Sequence, residues 1–259
     1  MAEYLDVAEA RKLSGLRLIL SIGVPGPWGE AAKGIFQVKK IPVTKVRQLP
    51  GMPNEELKAW TGHENAPTAI YNNEPPRTSW TEQLFLAERL SPDPPLIPAA
   101  TRDRALMFGL SHELCGELGL AWCRRLMMIH QILARVPEGS PGHAIAMTLA
   151  SRYGYDAKSA EAAPQRIAQI LSLLSAQLNE QRARGSAYLV GDRLSALDVH
   201  WATFCAILSP LPDEVCPMQG FMRAQYTVRD PVILAALDPG LLEHRDFIYQ
   251  QHLELPLDF

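Results

Sequence analysis

The sequence contains no long hydrophobic run and no cluster of basic residues. Its most apolar stretch, LRLILSIGV at 16–24, is much shorter than the about 20 residues that a membrane-spanning helix needs. The 259 residues carry a net charge of −3, and lysine and arginine do not gather into a patch. We therefore expect neither a membrane partner nor a nucleic-acid partner.

Cysteine is also scarce, and its spacing excludes two common roles. The four cysteines, Cys115, Cys123, Cys205 and Cys216, form no CxxC pair and no zinc-like pattern, so we predict no metal site. The absence of these patterns favours reduced thiols in the cytoplasm. The opening residues contain acids and lack a basic segment followed by an apolar core, which argues against a signal peptide.

The first ninety residues alternate between strand and helix patterns. We predict strands at 16–22, 43–48 and 68–71, the last followed by a polar turn and a second brief strand. Helices are predicted at 30–40, at 54–61 and from Ser79 to residue 90. The order β-α-β-α-β-β-α predicts an α/β domain over residues 1–90.

A proline-rich segment at 91–100 separates this domain from a helical remainder, because it can continue neither a helix nor a sheet. Residues 101–259 are predicted to form an all-helical domain. Its helices are expected at 102–136 (one, or two with a kink), 144–153 and 162–184, and the ranges 195–208 and 231–253 are expected to contain further helices. In the fourth of these, Ser195 and Asp198 are spaced as a capping box, with the serine oxygen and the aspartate each binding a free amide.

Three motifs occur in a fixed order: APTAIY from Ala66, TSWTEQLFLAERL from Thr78 and GDRLSALD from Gly191. Together they resemble the cytosolic glutathione transferase superfamily over nearly the whole chain. The resemblance implies a thioredoxin-like N-terminal domain followed by a C-terminal helical bundle. It also implies glutathione as cosubstrate and a homodimer.

The resemblance assigns the glutathione contacts to residues in or beside the first two motifs, APTAIY and TSWTEQLFLAERL, which both lie in the first domain. It implies a cis peptide before Pro67, with the Ala66 backbone pairing with the cysteinyl part of glutathione. Ser79 is implied to bind the γ-glutamyl group, while Thr78 stands where relatives carry an acid. Asn65 stands where many relatives place a lysine for the glycyl carboxylate.

Two other residues remain open as substitutes for that lysine, namely His63 and Arg77. Either side chain is a cation or a potential cation near the predicted site, and the sequence alone does not choose between them. We therefore keep both as candidate glutathione-binding residues.

The loop GPWGEAAKGIF departs from the family at its most important position. It resembles an omega-like loop in which a cysteine opens the first helix, but Gly26 stands at that cysteine position. Thiol exchange through an enzyme cysteine is therefore excluded there. The amides of Trp28 and Gly29 at the helix start remain to stabilise a thiolate, and Trp28 either borders the thiol or packs in the domain.

The second domain offers one candidate general base and an uncertain second pocket. His112 lies on the predicted helix at 102–136, together with Gly109, Gly116 and Gly119. A histidine can act as a base near neutral pH, although it is also a common hydrogen-bonded structural residue. The glycines indicate either close helix packing or a groove for an apolar electrophile.

Two functions of different classes fit these observations. The first is a glutathione transferase-like enzyme whose bound glutathione thiolate attacks or exchanges at an apolar electrophile. The alternative is a non-catalytic binding or scaffold protein of the same fold, or a carrier of apolar ligands. The replacements at Gly26, Thr78 and Asn65 favour the alternative, whereas retention of Ser79 and Pro67 favours glutathione binding.

Overall fold

The computed structural model describes residues 4–259, which form two compact units. Unit 1 comprises Met1–Ile97, Leu211–Gly220 and Phe247–Phe259, of which residues 1–3 lie outside the described part. Unit 2 comprises Pro98–Pro210 and Phe221–Asp246. The sequence assigned all of 101–259 to one helical domain, whereas two later segments of the chain pack with the first ninety-seven residues.

Unit 1 is built on a small mixed sheet with strand order β2-β1-β3. β1 (Leu16–Ser21) pairs parallel with β2 (Val43–Gln48) and antiparallel with β3 (Thr68–Tyr71). β1 is buried along nearly its whole length, as its continuous apolar run predicts for a central strand. The brief strand expected after β3 is reduced to one bridge between Ala69 and Arg77.

Four helices of unit 1 flank this sheet. They are α1 (Val7–Ala10), α2 (Pro27–Val38), α3 (Glu55–Thr61) and α4 (Trp80–Leu90). One face of the sheet packs with α1 and α3 in a cluster formed by Val7, Ala10, Ile19, Val46, Leu57 and Ile70. The expected helix at 30–40 begins three residues earlier, because Pro27 fits the first helical turn, where a missing N–H costs nothing.

The segment 253–259 of unit 1 packs along α2 and β2. The Asp258 carboxylate forms ion pairs with Lys33 at 3.3 Å and Lys45 at 2.5 Å, and the Tyr4 hydroxyl donates to the Asp258 carbonyl at 3.3 Å. The Glu254 amide donates to the Gln37 side chain at 3.1 Å. This segment therefore supplies an acid that pairs with two lysines of the α/β layer.

Unit 2 is helical throughout, as predicted for this part of the chain. Its helices are α5 (Thr101–Cys115), α6 (Leu120–Leu133), α7 (Pro141–Arg152), α8 (Ala157–Ala183), α9 (Ala196–Phe204), α10 (Gly220–Tyr226), α11 (Pro231–Ala236) and α12 (Pro239–His252). A 3-10 turn, Cys205–Ile207, follows α9, and α12 continues from unit 2 into unit 1.

The open choice at 102–136 is settled as two helices. The break between α5 and α6 contains Leu118 at a φ of 56° and Gly119. A Cβ on Gly119 would lie 2.6 Å from the Glu113 carbonyl oxygen, so this turn requires glycine. The close approach of the Glu113 backbone therefore explains why residue 119 is a glycine.

The capping box at α9 is present and is part of a larger buried network. Asp198 is fully buried and accepts hydrogen bonds from the Ser195 amide at 2.9 Å and the Ser195 hydroxyl at 2.8 Å. Its other oxygen accepts from the Leu189 amide at 2.8 Å and lies 3.0 Å from His244 Nε2. Asp198 thus joins three separate segments of unit 2.

No helix within residues 4–259 is long and apolar enough to cross a membrane. In the same described residues, no group of three or more histidine, cysteine or acidic side chains is placed to hold a metal ion.

Candidate functional site

The candidate site lies where β1 and β2 of unit 1 end and the loop before β3 begins. Ser21 ends β1 and Gln48 ends β2, and the Ser21 hydroxyl donates to Gln48 Oε1 at 2.6 Å. The Gln48 amide nitrogen donates to the Glu64 carbonyl at 3.3 Å. Because Thr68 pairs with Ile19 in antiparallel register, the loop at 64–67 lies beside the end of β1.

Pro67 enters β3 from this loop, and its position is held by α4. The peptide bond between Ala66 and Pro67 is cis. Buried Gln83 donates to the Pro67 carbonyl at 3.1 Å and to the Arg77 carbonyl at 3.2 Å. The Gln83 side chain of α4 therefore links the start of β3 to the segment at Arg77, which lies on the other side of the polar turn.

The first turn of α2 follows β1 directly, so it begins at the same edge of the sheet. Gly26 is the N-cap, with φ −66° and ψ 129°, and it provides no side-chain cap. The first intrahelical bond runs from the Glu30 amide to the Gly26 carbonyl, which leaves the Trp28 and Gly29 amides ahead of the helical ladder. This geometry suits an anion or thiolate.

The same helix start carries a buried acid. Glu30 is buried, and it forms an ion pair with Lys33 at 2.9 Å. Burial raises the pKa of the Glu30 carboxyl, and the charge and hydrogen bond of Lys33 oppose that rise. Lys33 also contacts Asp258, so the acidic and basic groups of α2 form one connected network.

The start of α4 already holds an anion, the carboxylate of Glu82. Glu82 Oε2 accepts hydrogen bonds from the Thr78 amide at 3.0 Å, the Ser79 amide at 2.9 Å and the Ser79 hydroxyl at 3.0 Å. The Glu82 amide in turn donates to Ser79 Oγ at 3.2 Å. Ser79 and Glu82 therefore form a reciprocal capping box.

These hydrogen bonds explain the acidity of Glu82. The backbone hydrogen bond from Ser79 lowers the pKa of the Glu82 carboxyl, with the Ser79 hydroxyl and the Thr78 amide acting in the same direction. Ser79, which the resemblance assigns to the γ-glutamyl group of glutathione, is thus engaged by a side chain of the same helix.

The three candidates for the glycyl carboxylate differ in their surroundings. His63 and Asn65 are both exposed, and the Asn65 carbonyl accepts from the Thr68 hydroxyl at 3.0 Å. Arg77 is committed within its own turn, since it donates to the Pro75 carbonyl at 2.7 Å and to Glu74 at 3.1 Å. An exposed His63 is therefore freer to receive a carboxylate than Arg77.

His112, the candidate base, belongs to unit 2 and lies on the last turn of α5. Its side chain is exposed, and its ring covers Gly116, where a Cβ would come within 2.4 Å of the ring. A side chain at position 116 would therefore require the exposed His112 ring to move. A catalytic role for His112 stays a prediction.

Three side chains that shape this site were not identified from the sequence. Gln48 and Gln83 brace the loop around Pro67, and a lone glutamine carries no sequence signal for such a long-range contact. Glu82 did carry one, because the spacing S-x-x-E at 79–82 is that of a capping box.

Comparison with known proteins identifies the fold. No model of a known protein family matches the chain, and no curated protein is detectably similar to it in sequence. Solved structures are similar in shape.

A glutathione S-transferase from Methylobacterium radiotolerans, in complex with glutathione sulfonate, has a TM-score of 0.60 and 16% identity, covering 91% of both chains. A glutathione transferase family member from Pseudomonas fluorescens, with two glutathione molecules bound, has a TM-score of 0.63 and 13% identity, covering 96% of this chain and 98% of the other. Glutathione transferase Omega 3C from Trametes versicolor has a TM-score of 0.57 and 12% identity, covering 95% of this chain and 90% of the other.

These similarities establish that the chain has the glutathione transferase fold. The predicted fold class, a thioredoxin-like N-terminal domain followed by a helical bundle, is confirmed. At 12–16% identity the comparisons concern the fold, and function is argued from the site.

Proposed function

We propose that this protein binds glutathione on unit 1 and uses its thiolate to attack or exchange at an apolar electrophile, as a glutathione transferase-like enzyme. The observation that carries the proposal is the convergence of three elements at one sheet edge. They are the Ala66–Pro67 backbone, the start of α2 at Gly26, and the start of α4 at Ser79, which Gln83 ties to the Pro67 loop.

Backbone groups supply most of the proposed recognition. The peptide of Ala66 precedes β3 and is placed to pair with the cysteinyl backbone of glutathione as an added strand would. The similar structures from Methylobacterium radiotolerans, with glutathione sulfonate, and from Pseudomonas fluorescens, with glutathione, support a peptide ligand of this class.

Thiolate stabilisation in this proposal rests on the start of α2. An ordinary thiol has a pKa of about 8.5. The charge at a helix N-terminus stabilises an anion by about 0.3–1 kcal/mol when exposed and by about 2 kcal/mol in a partly buried site. At about 1.36 kcal/mol per pKa unit, the Trp28 and Gly29 amides lower the thiol pKa by about one unit. Gly26 adds no hydroxyl or thiol, so we expect slow conjugation.

Non-catalytic binding by a protein with the glutathione transferase fold is the second candidate function, and one observation favours it. Glu82 occupies the Thr78 and Ser79 donors that glutathione would need. A protein with weak glutathione affinity and no enzymatic cysteine or serine at Gly26 would suit a binding or scaffold role.

The proposal includes a reducing environment and a homodimer. All four cysteines are buried and none of them forms a disulfide, which fits the cytoplasm predicted from their spacing. Homodimerisation, the electrophile and the role of His112 rest on the family resemblance.

Calorimetric titration with glutathione and with S-hexylglutathione tests the proposal. We expect both to bind, with the hexyl form tighter because its chain enters an apolar pocket. Ser79→Ala should weaken both, whereas Ser91→Ala, at the other end of α4, should weaken neither. Absence of heat and of thermal shift with both ligands, while an established glutathione transferase responds, would refute glutathione binding.

A further inference from the structure

The start of α4 is part of the proposed glutathione site, and it carries a carboxylate of its own. Gln83 links α4 to the Pro67 carbonyl at 3.1 Å, so a peptide that pairs with the Ala66 backbone binds beside Ser79. In the proposed function the γ-glutamyl group of glutathione occupies this position, and it carries both an ammonium and a carboxylate. These two charges respond in opposite directions to an acid on the protein.

Glu82 already uses the hydrogen-bond donors at this helix start. Its Oε2 accepts from the Thr78 amide at 3.0 Å, the Ser79 amide at 2.9 Å and the Ser79 hydroxyl at 3.0 Å. Such groups are the ones that a helix N-terminus offers to an anion. A ligand carboxylate therefore has to displace the Glu82 side chain or do without these donors, and in either case a like charge lies beside it.

The same carboxylate still has an oxygen to offer a cation. Glu82 is exposed, and within residues 4–259 its Oε1 accepts no hydrogen bond. The hydrogen bonds to Oε2, chiefly that from the Ser79 amide, lower the pKa of the Glu82 carboxyl, so the group is charged at neutral pH. An ammonium can donate to Oε1 while the hydrogen bonds of Oε2 stay in place.

The charges around Glu82 do not restore a carboxylate site. Arg77 is the neighbouring cation, but it forms an ion pair with Glu74 at 3.1 Å, and Arg89 shares that acid at 2.6 Å. The hydrogen bonds at the helix start lower the pKa of Glu82 more than the charge of Arg77 does. Thr78 is exposed and neutral, so Glu82 supplies the only formal charge among residues 78–82.

We propose that Glu82 determines which thiols this site prefers, namely peptides that carry an amine and no carboxylate at the end bound beside α4. This inference rests on the proposed function, because it concerns the same site. The amine donates to Glu82 Oε1, the peptide backbone pairs at Ala66, and the thiol lies at the start of α2. Glutathione is then a weaker ligand than the same peptide without its γ-glutamyl carboxylate.

Calorimetry on the full chain with three reduced thiol peptides tests this preference. They are glutathione, 4-aminobutyryl-cysteinylglycine, which lacks only the γ-glutamyl carboxylate, and glutaryl-cysteinylglycine, which lacks only the ammonium. We expect the aminobutyryl peptide to bind about threefold more tightly than glutathione and the glutaryl peptide about threefold more weakly, as befits exposed charge pairs.

The order of affinities separates this inference from the proposed function. If glutathione binds as tightly as the aminobutyryl peptide or more tightly, the preference assigned to Glu82 is wrong, while glutathione binding stands. If none of the three peptides binds, glutathione binding itself is refuted, and the inference with it.

A pair of variants assigns the preference to one residue. Glu82→Gln should weaken the aminobutyryl peptide about threefold and strengthen the glutaryl peptide, because a neutral amide neither attracts the ammonium nor repels the carboxylate. Glutamine is compatible with a capping box, so the helix start is kept. Glu56→Gln removes an exposed acid from the first turn of α3 and should change neither affinity. Unchanged affinities for both peptides in Glu82→Gln would overturn the proposal.

Discussion

Glu82 lies at the start of α4 with its carboxylate on three hydrogen-bond donors, the Thr78 and Ser79 amides and the Ser79 hydroxyl. A γ-glutamyl carboxylate that approaches Ser79 meets donors that are already satisfied and a like charge beside them. In the proposed function, affinity for glutathione therefore depends, at the scale of the single residue, on two carboxylates that compete for the start of one helix.

Replacement of Glu82 should separate this competition from ordinary capping. We expect Glu82→Gln to raise glutathione affinity about three- to tenfold, because the neutral amide binds the donors less strongly and repels no carboxylate. Titration calorimetry of both proteins measures this. Lower affinity in the variant would instead mean that Glu82 contacts the γ-glutamyl ammonium.

In the proposed function Gly26 is the residue that limits thiol chemistry, and its surroundings permit a larger side chain. A Cβ at Gly26 would meet no atom within 4 Å, and its φ and ψ are ordinary for any residue. We expect Gly26→Cys to create a thiol of lowered pKa at the helix start. This thiolate would attack the glutathione sulfur of a mixed disulfide, which releases the other thiol and forms a disulfide between the enzyme and glutathione. A free glutathione thiolate would then attack this disulfide, regenerate the enzyme thiolate and leave as glutathione disulfide.

An assay of glutathione-dependent disulfide reduction checks that gain of activity. The matched control is Gly109→Cys, since Gly109 is exposed on α5 and its added Cβ also meets nothing within 4 Å. Equal rates for the two variants would show that the start of α2 does not activate a thiol.

At the scale of the element, α9 depends on one acid more than on its own propensity. Asp198 accepts from Ser195 and Leu189 and contacts His244, all inside unit 2. The carboxylate lies between groups from the loop before α9 and from α12, so it fixes their mutual positions. An ordinary capping residue at an exposed helix start does not contact so many separate segments of the chain.

Loss of Asp198 should therefore be far more costly than loss of a surface cap. We expect Asp198→Ala to lower the free energy of unfolding by about 3–5 kcal/mol, because buried donors lose their acceptor. Asp156→Ala removes the cap of α8, an exposed site whose carboxylate binds the Ser159 amide at 2.8 Å, and should cost about 1 kcal/mol. Urea unfolding compares the two, and equal losses would contradict the network.

The elements that the sequence located most accurately are those with strong local patterns. The predicted bounds of β2 and β3 agree with the structure, since apolar alternation and Pro67 mark them locally. α10 was missed because seven residues give too little periodicity. α8 begins five residues before its predicted start because Asp156 caps it, and Pro164 lies within the helix rather than near its beginning.

For the candidate site, the sequence predicted the positions along the chain but not the side-chain contacts that hold them. Motif order pointed to Pro67, Ser79 and Gly26, each at the end of an element. The sequence alone did not reveal the contacts of Gln48 and Gln83, because they join segments far apart along the chain. Long-range side-chain contacts depend on the finished packing.

At the scale of the whole molecule, stability is linked to pH through a buried histidine. His200 is fully buried in α9, with its Nδ1 2.9 Å from the Ser111 hydroxyl. Burial lowers the pKa of His200 to about 3, far below the about 6.5 of an unfolded histidine. As pH falls below about 6.5, His200 becomes protonated in the unfolded chain, whereas it stays neutral in the folded chain.

Stability should therefore fall between neutral and mildly acidic pH. At pH 5 the His200 contribution is a loss of about 2 kcal/mol relative to pH 7, since the pH then lies about 1.5 units below the unfolded pKa. Urea unfolding of His200→Asn should show a correspondingly smaller loss between these pH values. His63→Asn, at an exposed site, should retain the full loss. Identical slopes in the unaltered chain and His200→Asn would exclude this source.

The composition of unit 1 has a consequence for how the chain is made. Lys33 and Lys45 emerge from the ribosome long before Asp258, which pairs with both and follows them by 225 and 213 residues. At about 5–20 residues per second, synthesis from residue 97 to residue 259 takes roughly 10–30 seconds. During that interval the α/β layer lacks the segment 253–259, so its final form is reached only after that segment has been synthesised.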